Sequence, residues 1–300
     1  MAPSMSDVTH FTAVIPAAGI GSRLLPATKA IPKELLPIVD TPAIQYLVDE
    51  IVASGISRIV FITAKGKEAI IDHFDSAPDL EALLAGRNKL DLLEKVTAPT
   101  HMAEYVAVRQ ERPLGLGHAV LMSRKVVGDS PFAVLLPDDL IDARRPALRQ
   151  LMDVYEARHP HGVLALMQVP DADVSKYGIV AGRMLDDRVM EITGIVEKPS
   201  IENAPSHFAV IGRYVLHPDT FLHLERIPRG AGGEIQLTDA LAELVHSGKS
   251  LLGCLFEGRR HDTGDVFGYL EANIHYAMKH PDLARKLRAS LPEWLEEPAQ

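Results

Sequence analysis

Three cations, Arg23, Lys29 and Lys33, follow a turn of small residues, Ala17-Ala18-Gly19-Ile20-Gly21-Ser22. No acid stands in this stretch before Glu34, although the chain as a whole carries a net charge of −9. Glycine lets backbone N–H groups approach a phosphate without a side chain in the way. Arg and Lys add fixed positive charge. The chemistry open to this pattern is the gripping of a phosphate. A second candidate is Asp138-Asp139, which follows the apolar run Phe132 to Leu136. Most Asp pairs in loops are turns or helix caps, but paired carboxylates also suit a hard cation beside substrate phosphates. A third is Glu197-Lys198-Pro199, which taken alone reads as surface charge.

Several standard motifs are absent. The dinucleotide fingerprint needs a third glycine where Leu24 stands, which disfavours a nicotinamide enzyme. The P-loop needs a glycine five residues before Gly248-Lys249-Ser250, and Glu243 holds that place. The chain has 13 histidines, yet no His-Glu-x-x-His and no convincing metal-ligand spacing. No Gly-x-Ser-x-Gly elbow supports a serine hydrolase.

The elements that must position these residues alternate. Ala13-Val14-Ile15 reads as a buried strand leading into the glycine turn. Thr41-Pro42 suits a helix N-cap and first position, with a helical stripe from Ile44 to Val52. Strands are expected at Arg58–Thr63, Tyr105–Arg109, Phe132–Leu136 and Gly162–Val169. Between them, helices are expected at Lys67–Phe74, Leu80–Val96, up to about Val126, and Pro146–Arg158. This alternation predicts an α/β fold with a mostly parallel sheet covered on both faces. Ligands in such sheets bind beyond the carboxyl ends of the strands. The glycine turn, the loop Gln110–Gly117 and Asp138-Asp139 all follow strands. Further on, strands at Tyr177–Ala181, Val189–Glu197, Phe208–Leu216 and Leu251–Phe256 precede or flank helices at Gln236–Val245, Val266–Lys279 and Pro281–Leu291. There is no internal repeat and no linker, so one composite domain is expected over two separable ones.

Taken together, these strings resemble the signature of the sugar-nucleotide pyrophosphorylases: Gly-x-Gly-Ser/Thr-Arg, then Leu-x-Pro, then Pro-Lys. The longer form, Leu25-Pro26-Ala27-Thr28-Lys29-Ala30-Ile31-Pro32-Lys33-Glu34-Leu35-Leu36-Pro37, is most similar to their bacterial uridylyltransferase branch. The resemblance covers roughly residues 11 to 280. It implies a Rossmann-like, mixed sheet flanked by helices and a domain over 9–291. Within it, 11–142 would be the nucleotide half, and 143–280, with the C-terminal helices, the sugar-phosphate half. It implies a magnesium-dependent reaction of UTP with glucose 1-phosphate to UDP-glucose and pyrophosphate.

Residue by residue, the resemblance makes Arg23, Lys33, Asp138 and Lys198 catalytic. Asp138 becomes a metal ligand, and Asp262 in His261-Asp262-Thr263-Gly264-Asp265 binds the metal directly or through water. Ala18, Gly19, Glu34, Gln110 and Gly115 fall where the family reads the base. A glutamine amide both donates and accepts, which suits a pyrimidine edge. Gly178, Glu197 and Lys198 would hold the sugar phosphate, and Phe208 to Tyr214 would wall the sugar pocket. Gly233 to Asp239 reads as a helix start with Glu234 as a helper. Ser22 stands where many relatives have Thr, and both supply a hydroxyl. Thymidylyl and other sugar nucleotidyltransferases remain open, as does a silent regulatory paralogue.

Composition sets the remaining bounds. The 47% hydrophobic content supports a large core, and the acidic balance implies no nucleic-acid partner. Cys254 is the sole cysteine, which excludes an internal disulfide and suits a reducing cytoplasm. No apolar run is long enough for a membrane span, and residues 1–10 lack the features of a signal peptide. The family implies a homo-oligomer, dimer or tetramer.

Overall fold

Alternating apolar residues build the protein around one sheet with a core on each face. The computed structural model describes residues 11–230 and 233–296. Residues 9 and 10 of the expected domain lie outside the described residues. Strands longer than two residues are Thr12–Pro16 (β1), Arg58–Thr63 (β2), Glu104–Arg109 (β3), Phe132–Leu135 (β4), Asp139–Asp142 (β5) and Gly162–Gln168 (β6). They continue with Gly178–Met184 (β7), Val189–Glu197 (β8), Phe208–Leu216 (β9), Leu251–Leu255 (β10) and Arg259–Asp262 (β11). All except β5 and β11 join a nine-stranded sheet in the order β3-β2-β1-β4-β9-β6-β10-β8-β7. Ala13 and Ile15 of β1 enter one core while Val14 enters the other, as the two-residue period of a strand requires. Phe61 and Val60 of β2 divide the same way.

The pairs β3–β2, β2–β1, β1–β4 and β6–β10 are parallel. The pairs β4–β9, β9–β6, β10–β8 and β8–β7 are antiparallel. Only β8 and β9 therefore run against the rest of this sheet, and the expected α/β class stands with mixed pairing in its second half. Helices longer than six residues are Ala43–Ala53 (α1), Pro78–Gly86 (α2), Leu90–Thr97 (α3), Leu116–Met122 (α4), Ala147–Arg158 (α5), Leu237–His246 (α6), Val266–Lys279 (α7) and Pro281–Glu296 (α8). None is long and apolar enough to cross a membrane.

Three local expectations need correction. The single helix over 80–96 is two, because Asn88 adopts a left-handed φ of 56°. The Lys89 N–H donates to the Leu84 carbonyl (3.0 Å) and the Asn88 N–H to Ala85 (3.0 Å), a left-handed helix stop. Thr41 does not cap α1: Thr41-Pro42 pairs with Pro37-Ile38 in a short ladder, and the helix starts at Ala43 with no side-chain cap. The helix expected over 67–74 shrinks to Ala69–Asp72.

The ribbon of β5 and β11 matters most for function. It is antiparallel, with Asp139 opposite Asp262 and Ile141 opposite Arg260. Two motifs 120 or more residues apart in sequence thus become neighbours at the carboxyl end of β4.

Candidate active site

The glycine turn leaves β1 at its carboxyl end and is locked from below. Gly21 has φ 72°, and a side chain there would press on Lys33 Cβ (3.2 Å) and Thr28 Cγ2 (3.4 Å). The Thr28 hydroxyl donates to the Gly21 carbonyl (2.8 Å). Position 21 therefore needs a residue with no Cβ and a left-handed backbone. Two cavities open on either side of this turn.

The smaller cavity, about 320 Å³, is lined by Ala18, Gly19, Lys67, Arg109, Gln110 and neighbouring loop residues. Gln110 is 6% exposed, and its Nε2 donates to the Gly115 carbonyl (3.3 Å) and lies 2.9 Å from His118 Nδ1. Of the residues expected to read a base, Ala18, Gly19 and Gln110 thus meet around one space. Glu34 and Gly115 do not line it. Glu34 is 1% exposed, and both of its oxygens accept from Lys67 Nζ at 2.8 Å. Gly115 packs with φ 99° against Ile235, whose carbonyl would lie 2.7 Å from an added Cβ. The Leu114–Gly117 loop is pinned there by Ile235 N–H to Leu114 O (2.7 Å) and Gly117 N–H to Ile235 O (2.8 Å).

The larger cavity, about 880 Å³, is lined by Arg23, Asp138, Glu197, Lys198, Arg260 and Asp262 among others. Asp138 occupies the turn between β4 and β5. Lys33 Nζ donates to its Oδ2 at 2.7 Å, and Arg23 lies 3.7 Å from the same oxygen. Burial pushes the Asp138 carboxyl up, but the Lys33 charge and hydrogen bond, with help from Arg23, outweigh it and hold the group below the usual carboxylate range. The Thr263 N–H (2.7 Å) and hydroxyl (3.1 Å) both donate to the Asp138 carbonyl, tying the turn to the segment after β11.

Asp138 and Asp262 converge beside Gly264. A Cβ on Gly264 would lie 3.1 Å from Asp138 Oδ2, 2.9 Å from Asp262 Oδ1 and 2.8 Å from Arg23. Glycine keeps this acidic cradle open. Among the described residues no group of three or more His, Cys, Asp or Glu stands close enough to hold a metal alone. Two carboxylates fit a hard cation that takes its remaining oxygens from phosphates and water.

On the far wall, Glu197 Oε2 accepts from the Thr238 hydroxyl (2.9 Å), and an added Cβ on Gly178 would lie 3.1 Å from that oxygen. Lys198 lies at the end of β8 with φ 45°, a left-handed conformation that costs a lysine about 1–3 kcal/mol. Its N–H donates to the Tyr177 carbonyl (3.0 Å), and its Nζ lies 3.5 Å from Glu197 Oε1. Of the expected sugar wall, Val210, Gly212 and Tyr214 face the cavity. Arg213 points the other way, fully buried, and donates to Glu50 Oε2 at 2.7 Å. Glu234 and Ile235 brace the Gly115 loop.

Sequence reasoning missed two charged centres. Arg260 donates to the Asp139 carboxylate, to Asp262 Oδ2 (3.1 Å) and to the Tyr177 hydroxyl (2.9 Å). Asp139, the second acid of the pair, is therefore committed to Arg260 and to the Gly212 N–H (3.0 Å), not to the cradle. The two-residue offset of Arg260 from Asp262 in Arg259-Arg260-His261-Asp262 was the available signal, since both lie on one face of a strand. Lys67 was the other miss, and nothing local to it pointed at Glu34.

A glycine turn and an acidic cradle at the strand ends of an α/β sheet define a protein built to handle phosphorylated nucleotides. The sequence profile described as nucleotidyl transferase matches residues 12–279, and the chain belongs to that family. It is 46% identical to the UTP–glucose-1-phosphate uridylyltransferase of Staphylococcus epidermidis, over 94% of this chain and 97% of the relative. It is also 46% identical to that of Bacillus subtilis, over 92% and 94%. A UDP-glucose pyrophosphorylase solved with UDP-glucose superposes with a TM-score of 0.81 at 39% identity, covering 90% of this chain and all (100%) of that one. A UTP-bound enzyme from Acinetobacter baumannii superposes with 0.88 at 39% identity, over 95% and 99%.

Proposed function

We propose that this chain is a UTP–glucose-1-phosphate uridylyltransferase, making UDP-glucose and pyrophosphate. The observation that carries the reading is the large cavity, where Asp138 and Asp262 face one wall and Glu197 and Lys198 the other. We assign the smaller cavity, with Ala18, Gly19 and Gln110, to the uracil. Residues 11–142 then form the nucleotide half and 143–280 the sugar-phosphate half of one domain.

A phosphate oxygen of glucose 1-phosphate forms a bond to the α-phosphorus of UTP. The bond from that phosphorus to the bridging oxygen breaks, and pyrophosphate leaves with the electron pair. The nucleophile is already an anion, so no general base is needed, and catalysis is positioning and charge neutralisation. Lys198 positions the attacking phosphate, and Glu197 accepts from sugar hydroxyls. Arg23 and Lys33 neutralise charge on the triphosphate and the leaving pyrophosphate. Asp138 and Asp262 would hold magnesium, which when bound neutralises phosphate oxygens. Lys33 Nζ, which donates to Asp138 Oδ2 at 2.7 Å in this structure, would be free to turn to phosphate once Asp138 and Asp262 held the cation.

The reading includes a cytoplasmic homo-oligomer, dimer or tetramer. The single buried Cys254 supports the first part. Val266, Phe267, Leu270 and Ile274, exposed along α7, support the second. The test is pyrophosphate release from glucose 1-phosphate and magnesium with UTP, dTTP, CTP, ATP or GTP in turn. UTP is expected to give the highest kcat/KM. A higher value with dTTP, or no release with UTP, overturns the assignment.

A further inference from the structure

An amide side chain presents a base with either an acceptor or a donor, and which one it presents must be fixed by its other neighbours. At Gln110 both N–H bonds are taken. One goes to the Gly115 carbonyl (3.3 Å), the other to His118 Nδ1 (2.9 Å). The Gly115 oxygen also accepts the Ala119 N–H (3.1 Å) in the first turn of α4, so it stands fixed as an acceptor. A carbonyl cannot donate. The Gln110 nitrogen must therefore be the atom on that side, and His118 Nδ1, which meets the same nitrogen, must be unprotonated. Oε1 has no hydrogen-bond partner among the described residues and belongs to a side chain lining the smaller cavity.

We propose that His118 is a positioning residue for base choice. With the Gly115 carbonyl, its Nδ1 consumes both donors of Gln110 and leaves Oε1 as the group the cavity offers a base. Uracil answers with its ring N3–H. Cytosine brings an unprotonated N3, so two acceptors oppose each other. Thymine carries the same N3–H as uracil and is not rejected by this device. Burial and the charge of Arg229 hold the imidazole below the ordinary histidine range, which favours the neutral ring that an unprotonated Nδ1 requires. The inference rests on the assignment of the smaller cavity to the base.

The experiment compares kcat/KM for UTP and CTP in the parent, Gln110→Ala, His118→Phe and His118→Asn. His118→Phe removes the shorter of the two bonds that hold the amide and leaves only the 3.3 Å one to Gly115, so the amide orientation loosens and the UTP-to-CTP ratio should fall by about tenfold or more, mainly through KM. His118→Asn can return an acceptor oxygen and should recover most of the ratio. In the parent, nitrogen-15 spectra of labelled histidine should give His118 the shifts of the Nε2–H tautomer. That spectrum keeps the idea testable if His118→Phe does not fold. A parent-like ratio in folded His118→Phe while Gln110→Ala loses it, or an Nδ1–H tautomer in the spectrum, sinks the role of His118 alone. A parent-like ratio in Gln110→Ala overturns the base cavity itself, and this inference with it.

Discussion

Replacing Lys67 with Met should destabilise the fold far more than a loop substitution ordinarily does. Glu34 is 1% exposed and Lys67 7% exposed, and both Glu34 oxygens lie 2.8 Å from Lys67 Nζ. Among the described residues the Glu34 carboxylate has no other side-chain hydrogen bond. Lys67→Met keeps the volume but strands a buried charge, at a cost of about 3–5 kcal/mol. The pair is not itself a large source of stability. Burial pushes the Lys67 ammonium down, and the charge and hydrogen bond of Glu34 only oppose that. Replacing both partners with apolar residues of similar shape, Glu34→Leu with Lys67→Met, should therefore return to within about 1–2 kcal/mol of the parent. Urea unfolding followed by circular dichroism, with unchanged slope, reads the difference as a shift in midpoint. Thermal scans should show the single variant lower by roughly 6–20 °C, at about 2–4 °C per kcal/mol for a chain of this order of size. A single variant within about 1 kcal/mol of the parent would falsify the claim that Glu34 depends on this partner. So would a double variant no better than the single one. Because Lys67 also lines the smaller cavity, KM for UTP is expected to rise in both.

Arg23→Ala should abolish pyrophosphate release yet leave the thermal midpoint nearly unchanged, since its side chain is 63% exposed; near-normal turnover in the folded variant would refute its role. Asp138→Asn should raise the magnesium concentration needed for half-maximal rate, whereas Lys198→Ala should weaken glucose 1-phosphate binding and spare UTP, a division that calorimetry with each substrate resolves. A loss of UTP affinity alone in Lys198→Ala reverses the assignment. Asp49, on α1, has its carboxyl pushed up to about 6 by burial. The folded state then binds more proton than the unfolded one between about pH 4 and 6, so stability falls as pH rises through that window and stays lower above it. Asp49→Asn should remove this slope and gain on the order of 1–2 kcal/mol at pH 8, measured as unfolding midpoint against pH; an unchanged slope rules out Asp49 as its source.

The residues legible from sequence were those whose neighbours in the chain announce them. Gly19 and Gly21 follow a run of buried strand residues, and Asp138 follows another. A strand end and a turn are local events set by a few consecutive residue types, so their place at the carboxyl ends of the strands of an α/β sheet could be read in advance. Lys198 was legible through its motif, but not its φ of 45°. That conformation accompanies the bond from its N–H to the Tyr177 carbonyl (3.0 Å), a partner 21 residues away that Lys198 does not announce.

What tertiary structure alone decided was which charge meets which. Asp138 and Asp139 are adjacent and chemically identical, yet one faces the cradle beside Gly264 and the other accepts from Arg260 and Gly212. Their fates diverge because Asp138 stays in the turn beside Lys33 and Arg23, whereas Asp139 enters β5 and meets the Gly212 N–H and Arg260. Glu34 sat inside the most informative string of the chain, but its carboxylate is closed off by Lys67, 33 residues away. Gly115 likewise meets Gln110 through its carbonyl and Ile235 through its backbone, contacts that no neighbouring residue type announces. Buried ion pairs and amide orientations depend on partners brought together by the sheet order. No local periodicity records them, because the energy that selects them exists only once water has been excluded from both sides.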